Sequence, residues 1–534
     1  MRAGEPAASM LIILAGRVEV VDEGPPDVVI RLLRRGAALG ELALLGSGLR
    51  SASARARTDV VLVEITRETF DGLLAEAPGF ATGLLRTVAS QLAATRTGEA
   101  AATPPRNIAV VALDPGAATD DVAARLGRAL SAHVRTVVLD GGDLATVERA
   151  ERQADCLLLH ASWTADPAWA SLCVAEADRV IAVATELPRE GAMRANVPAG
   201  CELLVLGDAA AAPAAMAAVR PGLTRVAADT VAAERILGVI ARRILGRSLG
   251  VVFSGGGARA FAHLGVLEEL HTSGLRIDRV GGVSLGALVG AGAAADIGAG
   301  ELVEAFERQF SRRPTGDLVP PVFSLVRGGR TRRLLEETFG TATIEALPLQ
   351  YFCLSCDLNA REVVVHRTGR VSEAAFASLA IPGVFPPVAT ADGRLLVDGG
   401  VLDNLPVETM ARNAEGPVIA VDVTGGRATA PQSGPRRWPG AAAACRRALT
   451  GRDAPIPYLG ETIVRTLTVG STDTAAAMQR HAHLVITPVV DGIGLLDWRA
   501  IGQARELGRQ AARQALASVD SLSLARAAVT PPTG

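Results

Sequence analysis

The stretch Val251 to Gly290, VVFSGGGARAFAHLGVLEELHTSGLRIDRVGGVSLGALVG, constrains this chain more than any other. It opens on an apolar run, Val251-Val252-Phe253, that leads straight into three glycines, Gly255-Gly256-Gly257. A second apolar segment then delivers Gly282-Val283-Ser284-Leu285-Gly286. That pentapeptide has the form G-x-S-x-G, a sharp strand-to-helix turn that holds a serine hydroxyl exposed. Gly282 and Gly286 suit it because side chains there would collide where strand and helix close on each other. The small residues that follow, Ala287, Gly290 and Ala291, let a helix lie close against a sheet.

The glycine run upstream supplies the complementary chemistry. Attack by serine on an ester carbonyl puts negative charge on oxygen, which fixed backbone N–H groups stabilise. Consecutive glycines let the backbone turn those groups outward at a helix N-terminus, where the dipole adds to the effect. The expected oxyanion loop is Gly255, Gly256, Gly257 and Ala258, with Arg259 at its edge. A lone G-x-S-x-G is weak evidence. Behind G-G-G-x-R it is strong.

These residues, with His263-Leu264-Gly265-Val266-Leu267, resemble the patatin-like phospholipases. A third element of that family is matched by Asp398-Gly399-Gly400, followed by Asn404-Leu405-Pro406-Val407. Between them Ala377 to Pro387, ASLAIPGVFPP, is similar to the family's connecting segment. The first motif departs at its last position, where Ala260 stands for the usual glycine. The resemblance covers about 249–520 and implies a three-layer α/β/α catalytic domain with a Ser-Asp dyad, Ser284 and Asp398. Asp398 would accept the Ser284 proton directly. A carboxylate is a weak base at its ordinary pKa of about 3.9, so burial and a preorganised oxyanion loop must assist it.

The rival order for a serine hydrolase is Ser, then acid, then His. With Asp398 as the acid, only His481 and His483 of the seven histidines follow it. Neither has the loop context such a histidine needs, and His263 precedes the serine at a packing position.

At 534 residues the chain is too long for one core, and three domains are expected: 1–98, 99–247 and 248–520. Within the first, Leu11–Leu14, Arg17–Val21 and Val28–Leu33 read as strands, turned at Gly24-Pro25-Pro26. Gly40-Glu41-Leu42, then Arg50-Ser51, resemble the phosphate-binding cassette of cyclic nucleotide-binding domains. The resemblance implies that Arg50 and a short helix N-terminus hold a cyclic phosphate while Glu41 accepts from the ribose hydroxyl. It also implies a late start, without the helix and first strand expected before Met10. A module that keeps this fold and has lost the ligand stands as the alternative. Helices are expected from Phe70 to Thr95.

Glu99 to Arg106 reads as a linker. After it, strands at Ile108–Ala112, Thr136–Leu139, Cys156–Leu159 and Val180–Val183 alternate with helix, a Rossmann-like parallel α/β pattern. Leu113 to Thr119 lacks G-K-[ST], so a degenerate nucleotide fold or scaffold is expected there rather than an ATPase. Val231 to Arg247 is an amphipathic helix with Ile236, Ile240 and Ile244 on one stripe, expected to pack on its own domain. Gly425 to Pro457 reads as a loop near the site mouth.

Basic and acidic residues nearly balance, 54 against 56, and the basic ones are all arginine, which argues against nucleic acid as a partner. Six scattered cysteines point to buried thiols and a reducing compartment. Cys353-x-x-Cys356 has no second pair to complete a zinc site, and no cofactor or metal is expected. The early Glu5 and the brief apolar run Met10 to Leu14 are unlike a signal peptide. The expectation is a cytoplasmic serine acyl hydrolase of phospholipid or lysophospholipid esters, in peripheral contact with the inner face of the membrane, resembling a bacterial neuropathy target esterase. A non-catalytic regulatory or scaffold protein responsive to a cyclic nucleotide is the alternative.

Overall fold

The computed structural model describes residues 1–22, 28–33, 37–45, 48–50, 52–56, 60–77, 106–114, 119–185, 197–207, 212–311, 316–320, 322–424, 481–494 and 497–518. Ser51, most of the stretch beyond Glu76 expected to be helical, all but the last residue of the expected linker, and the loop Gly425 to Pro457 lie outside them. The chain divides into two compact units, one of Met1–Leu203 with Pro213–Gly222 and one of Leu204–Ala212 with Leu223–Gly534.

In the first unit, strands β1 (Ser9–Ala15), β2 (Val18–Asp22), β3 (Val28–Leu33), β4 (Ala38–Leu39), β5 (Ser53–Ala56) and β6 (Val61–Thr66) form two antiparallel three-stranded sheets, ordered β4-β1-β6 and β3-β2-β5. Met10, Leu44 and Phe70 fill a small core, with Phe70 carried by the helix Arg67–Glu76. Thr66 caps that helix by accepting from the Thr69 N–H. The parallel α/β part follows, with neighbouring strands β7 (Asn107–Ala112), β8 (Thr136–Leu139), β9 (Cys156–Ser162) and β10 (Arg179–Ala184) in the order β10-β7-β9-β8. Every residue of β7 is buried, as a central parallel strand requires. The buried Arg17 lies 3.7 Å from the Glu176 carboxylate and 3.6 Å from that of Asp178, tying the β-rich part to the α/β part. Strands β11 (Glu202–Leu206) and β12 (Leu223–Ala227) come next in the chain.

In the second unit the expected amphipathic helix runs from Thr230 to Ile244 and buries Ile236, Ile240 and Ile244. Its arginines find partners within the unit: Arg242 makes a bidentate pair with Asp278, closest at 2.6 Å, and Arg243 meets Glu415 at 2.6 Å. The helix packs on its own unit, as its stripe predicts.

The large sheet consists of β13 (Leu249–Phe253), β14 (Ile277–Val283), β15 (Gln350–Asp357), β16 (Glu362–His366), β17 (Val388–Ala389), β18 (Leu395–Asp398), β19 (Val418–Val421) and β20 (Leu484–Ile486). Bonded neighbours run β17-β18-β15-β14-β13-β19-β20, with β16 also on β15. Its central strands are parallel and covered on both faces. Val251, Phe253, Val280, Tyr351, Cys353, Ile419 and Val421 pack into the core on one face. The alternate residues Val252, Val283, Phe352, Leu354, Val418 and Ala420 pack on the other, with Leu405, Val407 and Met410. A strand buried on both sides reads as a continuous apolar run, which is why these segments were visible in the sequence.

The helices Ala262–Thr272 and Ile501–Ser518 touch backbone to backbone. A Cβ on Gly265 would fall 1.8 Å from the Arg505 carbonyl oxygen, and one on Gly508 1.9 Å from that of Ala262. Among the described residues no helix is long and apolar enough to cross a membrane.

Candidate active site

Ser284 sits between the last residue of β14 and the helix Leu285–Ala294, with φ 55° and ψ −130°. Such a conformation costs a non-glycine residue about 1–3 kcal/mol and persists only where the surroundings enforce it. Two things enforce it here. A Cβ on Gly286 would lie 2.4 Å from the Ser254 carbonyl oxygen, so only glycine lets the helix start there. The Ser284 backbone N–H donates to the Ser378 hydroxyl at 2.9 Å, inside the core. Gly282 serves the same closure, since a Cβ on it would meet the Gly286 carbonyl oxygen at 2.5 Å.

Sheet register brings the carboxylate to the serine. Residues Cys353–Asp357 of β15 all pair with β16 along one edge. The other edge is therefore shared end to end: β14 pairs up to Val283 against Leu354, and β18 takes over with Asp398 against Ser355. Ser284 and Asp398 thus meet at consecutive rungs. The Ser284 hydroxyl faces the Asp398 carboxylate, which accepts from the Gly400 N–H at 2.8 Å. Burial pushes the Asp398 pKa up to about 6, against the opposing pull of the Ser284 hydroxyl and the Gly400 N–H. The Asp398 N–H donates to the Ala380 carbonyl at 2.9 Å, which fixes the acid strand from behind. Gly399 fits because a Cβ there would lie 2.6 Å from the Leu354 carbonyl oxygen.

The glycine loop closes the third side. Gly255 follows β13 so closely on the serine that a Cβ would come within 3.2 Å of the Ser284 Cβ and 2.5 Å of the Asn404 Oδ1. A single 3-10 turn, Gly257–Phe261, then begins, with Gly257 at φ 53°. The first N–H groups of such a turn have no carbonyl ahead of them in it. The Gly255 N–H is held at 3.3 Å by the Asn404 carbonyl. Ala258 and Ala260 are fully buried, and Arg259 donates through Nε to the Ile493 carbonyl at 2.8 Å. A methyl at position 260 is thus accommodated in the core.

Among the described residues no histidine is a bonded partner of Ser284 or Asp398. His263 is fully buried, donates from Nε2 to the Ser254 carbonyl at 2.9 Å and lies against Phe253. Desolvation lowers its pKa to about 4, so it is neutral packing. His483 is bonded to Val418, at the start of β19. Val418 is level with Gly250, which is level with Arg279, so Ser284 lies five residues farther along the parallel sheet. At about 3.3 Å per residue, that is roughly 16 Å away. His366, on the neighbouring strand, bonds the Ser355 hydroxyl at 2.7 Å and is likewise lowered to about 4 by burial.

Over nearly its whole length the chain matches proteins from mycobacteria. An uncharacterized NTE family protein of Mycobacterium tuberculosis is 35% identical over 96% of this chain and 90% of that protein. The chain belongs to the NTE family. Within it, the model for patatin-like phospholipase matches residues 251–411, and the model for the cyclic nucleotide-binding domain matches residues 1–77. This NTE family member is also 35% identical to a neuropathy target esterase of Drosophila melanogaster, over 34% of this chain and 13% of that protein. A lysophospholipase of Coccidioides immitis is 32% identical over 50% of this chain and 18% of that protein. The patatin-like fold and its pairing with a nucleotide-binding-type module, read from motifs, are therefore those of the family.

In that N-terminal module Gly40 ends β4 with φ +79°, and Glu41 and Leu42 open the five-residue helix Glu41–Leu45. Arg50 folds back so that its Nη1 lies 3.4 Å from the Gly40 carbonyl oxygen, and a Cβ on Gly40 would fall 1.9 Å from that nitrogen. Residues before Ser9 run beside this turn, with Gly4 N–H on the Arg50 carbonyl and Arg50 N–H on that of Glu5. Glu41 is buried. Gly40, Glu41 and Arg50 thus share one small turn.

Two residues of the catalytic-type site were not singled out from sequence. Ser378 holds the serine's N–H, and Asn404 wedges its side chain between Gly255 and Gly400, within 2.8 Å of where a Gly400 Cβ would be. Both lie in segments that the family resemblance marked, Ala377 to Pro387 and Asn404 to Val407, but no role was read for either residue.

Proposed function

We propose that this NTE family protein is a serine acyl hydrolase that cleaves carboxylic esters of phospholipids or lysophospholipids through a Ser284–Asp398 dyad. The observation that carries the reading is the sheet register that sets the Ser284 hydroxyl against the buried Asp398 carboxylate, whose pKa burial raises to about 6. Near neutral pH that carboxylate is ionised, yet it is a far better base than a solvated aspartate.

Asp398 takes the hydroxyl proton as Ser284 Oγ bonds to the ester carbonyl carbon. The resulting oxyanion faces the N–H groups of Gly256, Gly257 and Ala258, with Arg259 at the loop's edge, whereas the Gly255 N–H is already taken by the Asn404 carbonyl. When the intermediate collapses, the C–O bond to the leaving alcohol breaks and Asp398 returns its proton to that oxygen. A water then attacks the acyl-serine as Asp398 takes its proton, the bond from the acyl carbon to Ser284 Oγ breaks, and Asp398 returns the proton to Oγ, which frees the acid and restores both residues.

The same reading assigns three parts to the chain, 1–98, 99–247 and 248–520, and gives the first a regulatory role. A cyclic nucleotide held by Arg50, Ser51, the Gly40–Leu42 turn and Glu41 would be sensed there. Arg17 supports this by joining that part to the α/β part through Glu176 and Asp178. The protein works in the cytoplasm, against a membrane that supplies its substrate.

Hydrolysis of a short-chain nitrophenyl ester by the full chain, abolished in Ser284→Ala, is the expected result. A wild-type protein that leaves such esters and lysophospholipids intact would return the chain to the alternative, a non-catalytic nucleotide-responsive scaffold.

A further inference from the structure

Among the described residues the three most exposed large apolar side chains fall in one short stretch: Phe323 at 85%, Val322 at 76% and Leu318 at 75%. This stretch is not a loose end. Leu318 bridges Val326, Val319 N–H donates to the Leu325 carbonyl at 3.1 Å, and Arg327 N–H donates to that of Asp317 at 3.0 Å. The base is then sewn to the body of the domain, Leu325 N–H on the Gly383 carbonyl and Val326 N–H on that of Val384, each at 2.9 Å. Val326 is buried in the main core. A braced loop therefore holds apolar side chains out into water, the arrangement expected where another apolar phase receives them.

The charge beside it says which phase. Arg327, Arg330, Arg332 and Arg333 follow the loop and are exposed, three of them on the first turns of the helix Gly329–Phe339. Arg332 is pinned over the Phe376 ring at 3.9 Å. The acidic residues nearby are Asp317, which accepts from the Arg330 backbone N–H, Glu336 and Glu337 farther along the helix, and Glu373, which with Glu336 faces Arg332. An apolar tip rimmed by arginine matches the boundary of a bilayer with anionic headgroups, acyl chains receiving the tip and phosphates the guanidinium groups.

We infer that the loop carrying Leu318, Val322 and Phe323, with Arg327, Arg330 and Arg333, docks this protein on anionic phospholipid bilayers and presents its active site to the lipid. The inference deepens the reading of the protein as a lipid ester hydrolase. The loop rests on Gly383 and Val384. A few residues away in that same segment, Ala380 holds the Asp398 N–H and Ser378 holds the Ser284 N–H. Docking thus fixes the membrane against the segment that positions both reacting residues.

The test separates binding from chemistry. Co-sedimentation of the full chain is measured with vesicles of phosphatidylcholine, and with vesicles of equal parts phosphatidylcholine and phosphatidylglycerol. Hydrolysis of lysophospholipid in the same vesicles and of a soluble nitrophenyl ester is measured alongside. The wild type should bind the anionic vesicles more tightly. Phe323→Asp with Val322→Asp should weaken that binding about tenfold or more and lower vesicle hydrolysis in step, leaving the soluble ester turnover unchanged. Arg330→Glu with Arg333→Glu should remove the preference for anionic vesicles. Wild-type protein that ignores both vesicles, aspartate variants that bind as the wild type does, or a dimer in vesicle-free solution that those variants dissolve would each overturn the inference. Loss of soluble ester turnover in the wild type would instead count against the proposed hydrolase, with vesicle binding still deciding the docking surface.

Discussion

Ser284 and Asp398 reach each other from two strands far apart in the chain, while Gly40, Glu41 and Arg50 come from one short run. The first arrangement needs the whole large sheet: β15 must align β14 and β18 end to end on a single edge before the hydroxyl meets the carboxylate. Glycines at 255, 282, 286 and 399 then let backbone approach where any side chain would clash. The second arrangement needs little beyond a turn, and its arginine rests against the Gly40 carbonyl 3.4 Å away. A site assembled from distant, buried pieces is over-determined, so it can hold a strained serine and a raised carboxylate pKa. A local turn with a half-exposed arginine is cheap to keep and has little stored in it. Chemistry is expected of the first, and at most recognition of the second.

The largest effect that would sharpen this contrast is on the acid. Catalysis requires ionised Asp398, whose pKa burial raises to about 6. Activity should therefore be full above that value and fall about tenfold per pH unit below it. Asp398→Asn should lower kcat by about a thousandfold, with the pH limb gone from whatever remains. An Asp398→Asn protein with near-wild-type turnover and an unchanged limb would break the comparison at its stronger end.

The smallest effect is expected at the turn. An arginine–phosphate pair contributes about 1.5–3 kcal/mol, or roughly ten- to a hundredfold in Kd. Calorimetry with cyclic AMP and cyclic GMP should thus show weak binding that Arg50→Ala removes. Silence from both proteins would make this a module kept for its fold, and equal binding by both would move the ligand elsewhere.

What the sequence made legible follows from the same contrast. Central strands such as Val251–Phe253 and Tyr351–Leu354 are buried on both faces, so an apolar run marks them without any need for partners. The elbow was legible because Gly282 and Gly286 answer a local steric demand. Asp398 was reached only through resemblance, since nothing in its own segment tells which strand edge β18 will take. Ser378 and Asn404 escaped for a related reason: a serine in a helix and an asparagine in a turn have many possible partners, and only the fold chooses them. The stripe of the helix Thr230–Ile244 forecast its burial, but not that Arg242 and Arg243 would close on Asp278 and Glu415.

The claim that Ser284 is activated by Asp398 without a histidine is tested most directly by covalent labelling. The full chain is treated with a fluorophosphonate, and the modified peptide is identified by mass spectrometry. The expected result is a single adduct on Ser284, formed rapidly by the wild type and by His481→Ala and His483→Ala proteins, and far more slowly by Asp398→Asn. An adduct on another residue, or labelling that survives Asp398→Asn at the wild-type rate and disappears in His481→Ala or His483→Ala, would contradict it.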